Sequence, residues 1–365
     1  MTGKHAIFKK VLIGLTDRWR HFRTIEGIER VSHMKITTMR DIAKELGVSA
    51  MTVSKVLNGK PGVGAETRQR VLDTAKRLEY KPNMIAKSMR LNQSKIIGLV
   101  ISDSSFSFFP SVIKGIEDCA MRNGYSILLC NTDGDYKEEK EKIELLLNQR
   151  VAGLILAAST FISNRDTEYL KSLGIPFVYA IRIPKDESVD HVANDNFKGS
   201  FLMIDYLIRT GSQKIHFFNM RSASTSALKR LAGYKKALEK HGIAFDEEIV
   251  HKVDHSVAAG YAQAKKMLSS GDEMQTVFCG CDVMAIGVIE AVLELGLKIP
   301  DDIRVASYDD IEFARYLQVP LTTVAQPKYE IGERSVELLL RRMEDSHREP
   351  QSIILEPELT IRKST

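Results

Sequence analysis

The sequence predicts a small all-helical module followed by an α/β body of parallel sheets flanked by helices. Three observations carry this. Residues 38–58 hold two short amphipathic helices joined by a glycine. From residue 95 onward, apolar strand-like runs alternate with helical stretches. Charge is also segregated: residues 34–95 carry thirteen Lys/Arg against five acidic residues, a net +8, residues 1–33 carry +4, and the remainder carries −7.

In the first helix Met39, Ile42, Ala43 and Leu46 recur at helical spacing, with Arg40, Asp41, Lys44 and Glu45 on the other face. Gly47 supplies a tight turn, and Ser49 stands where a hydroxyl caps the next helix. Val53, Val56 and Leu57 resume an apolar stripe, which leaves Ala50, Met51, Ser54 and Lys55 outward. Two helices joined this way form a helix-turn-helix, whose second helix fits the DNA major groove. An ordinary helical hairpin fits the same pattern equally well. The basic charge decides between them, because a basic module on an acidic body is the footprint of a nucleic-acid reader. A third helix opens at Ala65-Glu66-Thr67, buries Val71, Leu72, Ala75 and Leu78, and stops at Lys81-Pro82. The stretch 83–90 has helical composition but falls below the roughly 12–15 residues at which an isolated helix becomes marginal in water. It is expected to be disordered or frayed in the free protein.

Strand-like runs occupy 96–101, 126–130, 152–158, 176–181, 214–218, 276–280 and 304–308. Helical stretches such as 110–123, 137–149, 197–210, 229–241 and 282–296 separate them. Repeated βα units of this length build parallel sheets with helices on both faces. Ligands in such folds collect beyond the carboxyl ends of the strands. The run is long enough for two lobes rather than one.

A composition of 44% hydrophobic and 27% charged residues fits a soluble globular protein. No apolar run approaches the ~18 residues that span a bilayer. The apolar run at 11–15 ends at Asp17 and Arg18 with no cleavage site after it, so no secretion signal is read and a cytoplasmic location is expected. Cys119, Cys130, Cys279 and Cys281 have no regular spacing and are read as core side chains, with no metal and no cofactor expected. No dinucleotide fingerprint, phosphate loop, nucleophile elbow or paired-histidine motif is present, which argues against an enzyme.

The order of these parts resembles the LacI/GalR family of bacterial transcription regulators, that of the lactose and purine repressors. The resemblance runs from about Lys35 to Thr365. It rests on MRDIAKELGVSAMTVSKVLNG, ETRQRVLDTAKRLEYKPN and IAKSMR, and on DNFKG (195–199), RLAGY (230–234), CDVMAIG (281–287), YDD (308–310) and LTTVAQP (321–327). It implies a DNA-binding domain at 34–82, a hinge helix and linker at 83–94, and a body at 95–365 folded like periplasmic sugar-binding proteins. The body's N-lobe would hold about 95–194 and 324–352, and its C-lobe about 195–323 and 353–365. Residues 1–33 have no counterpart and are read as an upstream start or a DNA-contacting arm, the former favoured. The resemblance also implies a homodimer on pseudo-palindromic operator DNA, a sugar-like small-molecule effector and no membrane. A global regulator cued by a protein bound to the body is the alternative.

Candidate DNA contacts follow from the helix-turn-helix. Lys55 can donate to guanine, while Ala50 and Met51 offer apolar contact. Thr38, Ser49, Thr52 and Ser54 suit phosphate or capping bonds, and Asn58 closes the matched stretch. By resemblance Ala86, Lys87 and Met89 belong to the hinge that enters the minor groove. Met89 stands where the family usually has a leucine wedge, and apolar wedges of this kind kink the duplex. In the body Asp195, Arg230 and Asp309 match effector-contacting positions; a carboxylate and a guanidinium together hold adjacent hydroxyls. Phe108, Phe109, Ser224, Ser226, His255 and Asp282 complete the candidates. Asp195 and Asp282 are each also placed to cap a helix. The chain departs from the family pattern at Ser307, where glycine is common, and at Cys281, where many sugar sensors have asparagine.

Overall fold

The computed structural model describes residues 37–80 and 94–365, except 158, 159, 161, 187, 222, 223 and 271–273. The extension 1–33 and the hinge candidates Ala86, Lys87 and Met89 lie outside the described residues. The chain forms two units that divide after Leu91.

Among the described residues the first unit holds three helices: α1 (Met39–Leu46), α2 (Ala50–Leu57) and α3 (Ala65–Arg77). Thr38 caps α1 in a reciprocal box: the Asp41 amide donates to the Thr38 hydroxyl at 3.3 Å, and the Thr38 amide donates to the Asp41 carboxylate at 2.8 Å. Gly47, at φ +65°, ends the helix in the left-handed conformation that glycine takes without strain. Ser49 caps α2, accepting from the Thr52 amide at 3.0 Å. Ile42, Ala43, Val53, Val56, Val71 and Ala75 close the mini-core. One expectation is corrected on α3. Leu72 is 42% exposed and Thr74 is buried instead. The stripe is Val71, Thr74, Ala75 and Leu78, the i, i+3, i+4, i+7 face that helical geometry presents to a neighbour.

The second unit carries two six-stranded sheets. The N-lobe sheet has the order β11-β5-β4-β3-β1-β2, from β1 (Ile96–Ile101), β2 (Ser126–Asn131), β3 (Gly153–Ala157), β4 (Phe177–Ala180), β5 (His191–Asn194) and β11 (Ser352–Leu355). All of its pairings are parallel. The C-lobe sheet has the order β12-β10-β9-β8-β6-β7, from β6 (Ile215–Met220), β7 (Val250–Val253), β8 (Thr276–Cys279), β9 (Arg304–Asp309), β10 (Thr322–Ala325) and β12 (Glu358–Thr360). Only β12 runs antiparallel there. Helices α4 (Phe109–Arg122), α5 (Tyr136–Asn148), α6 (Asn164–Ser172) and α11 (Lys328–Glu344) belong to the N-lobe segments, and α7 (Asn196–Arg209), α8 (Thr225–Lys240), α9 (Val257–Ser270) and α10 (Asp282–Glu294) to the C-lobe. The near-continuous Val/Ile/Leu runs of β1 and β3 are what a strand covered on both faces requires.

The chain crosses between lobes three times, after β5, after β10 and after β11. The second and third crossings therefore fall a few residues beyond the expected 323/324 and 352/353. Val324 and Ala325 still pair with β9, and Ile353 to Leu355 still pair with β5. Close helix pairs rest on mid-helix glycines: a Cβ on Gly287 of α10 would lie 2.0 Å from the Val257 carbonyl oxygen, and one on Gly260 of α9 would lie 2.2 Å from that of Met284.

Candidate functional site

A cavity of about 510 Å³ opens between the lobes at the carboxyl ends of their strands, where open parallel sheets place ligands. The C-lobe wall is built around Arg230. Its Nε donates to the Asn196 side-chain oxygen at 2.8 Å, Nη1 donates to the Gly280 carbonyl, and Nη2 reaches the Asp309 carboxylate at 3.4 Å. The guanidinium also lies over the Tyr308 ring, 3.6 Å from its centroid, and the Tyr308 hydroxyl accepts from Asn194 at 2.9 Å. Arg230 and Asp309 are both buried. Asp309 accepts a second, shorter bond from Gln326 Nε2 at 2.6 Å.

The backbone that presents Asp309 is strained. Asp309 has φ +117° and Asp310 φ +47°. Lys328 Nζ donates to both of their carbonyls, at 2.8 Å for Asp310, and Arg362 pairs with the Asp310 carboxylate at 2.6 Å. Burial lowers the pKa of the Lys328 ammonium, with Asp309 acting against it. A loop in sparsely populated conformations persists only where surrounding bonds over-determine it, and here they do.

Of the nine candidate effector residues, seven line this cavity: Phe108, Phe109, Ser224, Ser226, Arg230, His255 and Asp309. Phe108 and Phe109 pack edge to face at 5.6 Å. His255 of the C-lobe meets Phe106 of the N-lobe edge to face at 4.8 Å, and burial holds its imidazole pKa below the ordinary value, favouring the neutral ring. Two candidates lie outside the lining of this cavity. Asp195 caps α7, accepting from the Lys198 amide at 2.9 Å, and lines a separate cavity of about 230 Å³ at the first crossing. Asp282 is fully buried behind the site, where its carboxylate accepts from the Ile311 amide at 2.8 Å and the Thr323 hydroxyl at 2.6 Å. Burial, then the charge of Asp309, raises its pKa to about 7. Asp195 thus holds a helix start, and Asp282 ties the Ile311 amide to the Thr323 hydroxyl.

On the helix-turn-helix, Met51 is 70% exposed and Ala50 and Lys55 are exposed, so the three expected base-facing positions lie open. The hydroxyls are engaged locally. Thr38 and Ser49 act as caps, and Thr52 meets Ser49 at 2.9 Å. Asn58 Nδ2 donates to the Ser54 carbonyl at 2.7 Å.

Residues 38–83 match the model of bacterial regulatory proteins of the lacI family, and residues 204–365 match the periplasmic binding protein-like domain. The HTH-type transcriptional repressor PurR of Mannheimia succiniciproducens is 34% identical over 330 residues, covering 90% of this chain and 98% of its own length. The chain belongs to the LacI family. Among solved structures, the lac repressor dimer bound to operator and the anti-inducer ONPF superimposes with a TM-score of 0.82 at 28% identity, covering 90% of this chain and 99% of that one. The CelR–cellobiose complex gives a TM-score of 0.69 at 27% identity, covering 90% and 100%. This LacI-family chain is thus a transcriptional repressor with a ligand-binding body, similar to PurR and the lac repressor.

The N-lobe wall holds cavity residues that the sequence reading missed: Asp103 and Phe106 after β1, Asp133 after β2, Thr160 after β3, and Ile181 and Arg182 after β4. Met220 and Gln326 were missed in the C-lobe. Burial lowers the pKa of the Arg182 guanidinium, against the opposing pull of Glu139. The signal for all of them was positional, since each follows or ends the carboxyl end of a strand.

Proposed function

We propose that this repressor binds pseudo-palindromic operator DNA as a homodimer and that a sugar-like effector in the inter-lobe cavity sets its affinity for that DNA. The observation that carries the effector reading is the buried Arg230–Asp309–Gln326 cluster facing Phe108 and Phe109 across one cavity. Donors and an acceptor held at fixed spacing beside aromatic rings suit the hydroxyls and apolar face of a pyranose. Relatives solved with cellobiose and with ribose support this class of ligand. The two-fold dimer follows from how a helix-turn-helix reads half-sites, with Lys55 as its base-edge donor. Location in the cytoplasm follows from the DNA target.

The test is selection of bound duplexes from random sequence, followed by release or tightening with a sugar panel. Recovery of an inverted repeat whose affinity a sugar changes tenfold or more supports the proposal. An operator indifferent to every sugar while an extract protein changes its affinity would instead favour the protein-cue reading.

A further inference from the structure

At the end of β4 the chain does something a β-branched residue rarely tolerates. Ile181 has φ +75°, and the Arg182 amide returns to the Ala180 carbonyl, two residues back, at 2.9 Å. Together these define a γ-turn of the rare, strained hand. The other non-glycine residues with positive φ among the described ones are Glu, Asp and Arg. Asparagine or aspartate would sit at this φ with far less strain, and glycine with none. The turn itself does not require isoleucine.

The turn has a geometric consequence. Consecutive residues of an extended strand point to opposite faces, yet Ile181 and Arg182 both line the inter-lobe cavity. An apolar side chain and a guanidinium are thereby set side by side on the N-lobe wall. Arginine only donates, so its ligand partner must be an acceptor oxygen. Ile181 offers no hydrogen bond, so a hydroxyl facing it would lose its water without replacement.

We propose that Ile181 is a specificity determinant of the effector site, selecting a deoxygenated sugar that sets an oxygen on Arg182 and a bare or methyl carbon on Ile181. This rests on the sugar reading given above. A purely structural role is the competing account, because Ile181 also packs against the N-lobe core beside Phe108.

The two accounts separate by titration calorimetry on the full chain. The ligands are glucose, galactose and mannose of both hands, each beside its 2-deoxy and 6-deoxy derivatives. The unsubstituted protein is expected to bind a deoxy member at least about tenfold tighter than its parent, the scale on which an apolar pocket discriminates. Ile181→Asn should abolish or reverse that ratio, and Ile181→Gly should abolish it without favouring the parent. Equal or tighter binding of the parent sugar, or a ratio unmoved by Ile181→Asn, overturns the inference and leaves the sugar reading standing. A ratio unmoved while both affinities and the melting temperature fall together assigns Ile181 to packing alone. If no sugar of this panel binds the unsubstituted protein, the inference falls, and the sugar reading is decided by the operator assay above.

Discussion

Arg230→Lys keeps the charge in the C-lobe wall and removes the fork. Arg230 holds the Asn196 oxygen, the Gly280 carbonyl and the Asp309 carboxylate from three different nitrogens while lying over the Tyr308 ring. A lysine ammonium is a point donor on a flexible stem and cannot reach three divergent acceptors from one position. About two charge-assisted bonds are lost, at roughly 1.5–3 kcal/mol each, together with the stacking, worth about 0.5–2 kcal/mol. Some is recovered as the ammonium settles on one acceptor and solvent relaxes, so the expected destabilisation is about 3–5 kcal/mol, the range for a broken buried pair. That is a large share of a typical 5–15 kcal/mol stability, yet still leaves a folded protein. The assay is urea unfolding followed by circular dichroism, with the m-value fitted freely so that a change in compactness is not mistaken for one in stability. A loss below about 1 kcal/mol would refute the claim that the fork, rather than the charge, organises this wall.

Three further expectations follow. Gly287→Ala forces a Cβ to within 2.0 Å of the Val257 carbonyl oxygen; the α9–α10 pair must part, and urea melts should show a loss of about 1–3 kcal/mol despite alanine's better helix propensity. Lys55→Ala should weaken binding to a selected operator by about 1–3 kcal/mol at fixed salt, with an unchanged melting temperature; an equal loss on random DNA would make Lys55 a phosphate contact instead. Asp282 has a folded pKa of about 7, above its unfolded value of 3.8. The folded state therefore holds the extra proton between those values, and the group's stabilising contribution is full below pH ~4 and lost as pH rises through ~7. Asp282→Asn should flatten the stability profile between about pH 4 and 7, and an unaltered slope in melts across that range would exclude Asp282 as its source.

The strands of the body were legible where they are long and apolar. IIGLVI and RVASYD declare themselves because a strand covered on both faces has no need to alternate. HVAN and VHKV did not, since each is four residues long and carries polar groups that meet partners distant in sequence: His191 meets the Ser352 hydroxyl at 2.7 Å, and His251 meets His216 at 3.2 Å. Leu72 was misplaced for a related reason. Apolar identity outweighed helical phase, although phase puts Thr74 inward.

The two halves of the site were unequally legible, and the inequality has a structural cause. The C-lobe contributions lie inside recognisable strings, RLAGY for Arg230 in the second turn of α8 and YDD for Asp309 on a strained loop that restricts its local sequence. On the N-lobe wall, residues arrive from four separate strand ends, and nothing local marks Thr160 or Arg182 as neighbours of Phe108. The same asymmetry bears on function. The C-lobe cluster is internally paired, Arg230 with Asp309 and Asp309 with Gln326, so a ligand touching it alone exchanges good bonds for similar ones. A ligand that also engages the N-lobe wall touches both lobes at once. Only such a ligand binds one arrangement of the lobes better than another, and a ligand shifts an equilibrium only by its difference in affinity for the two states. The poorly legible wall should therefore carry the effector's identity.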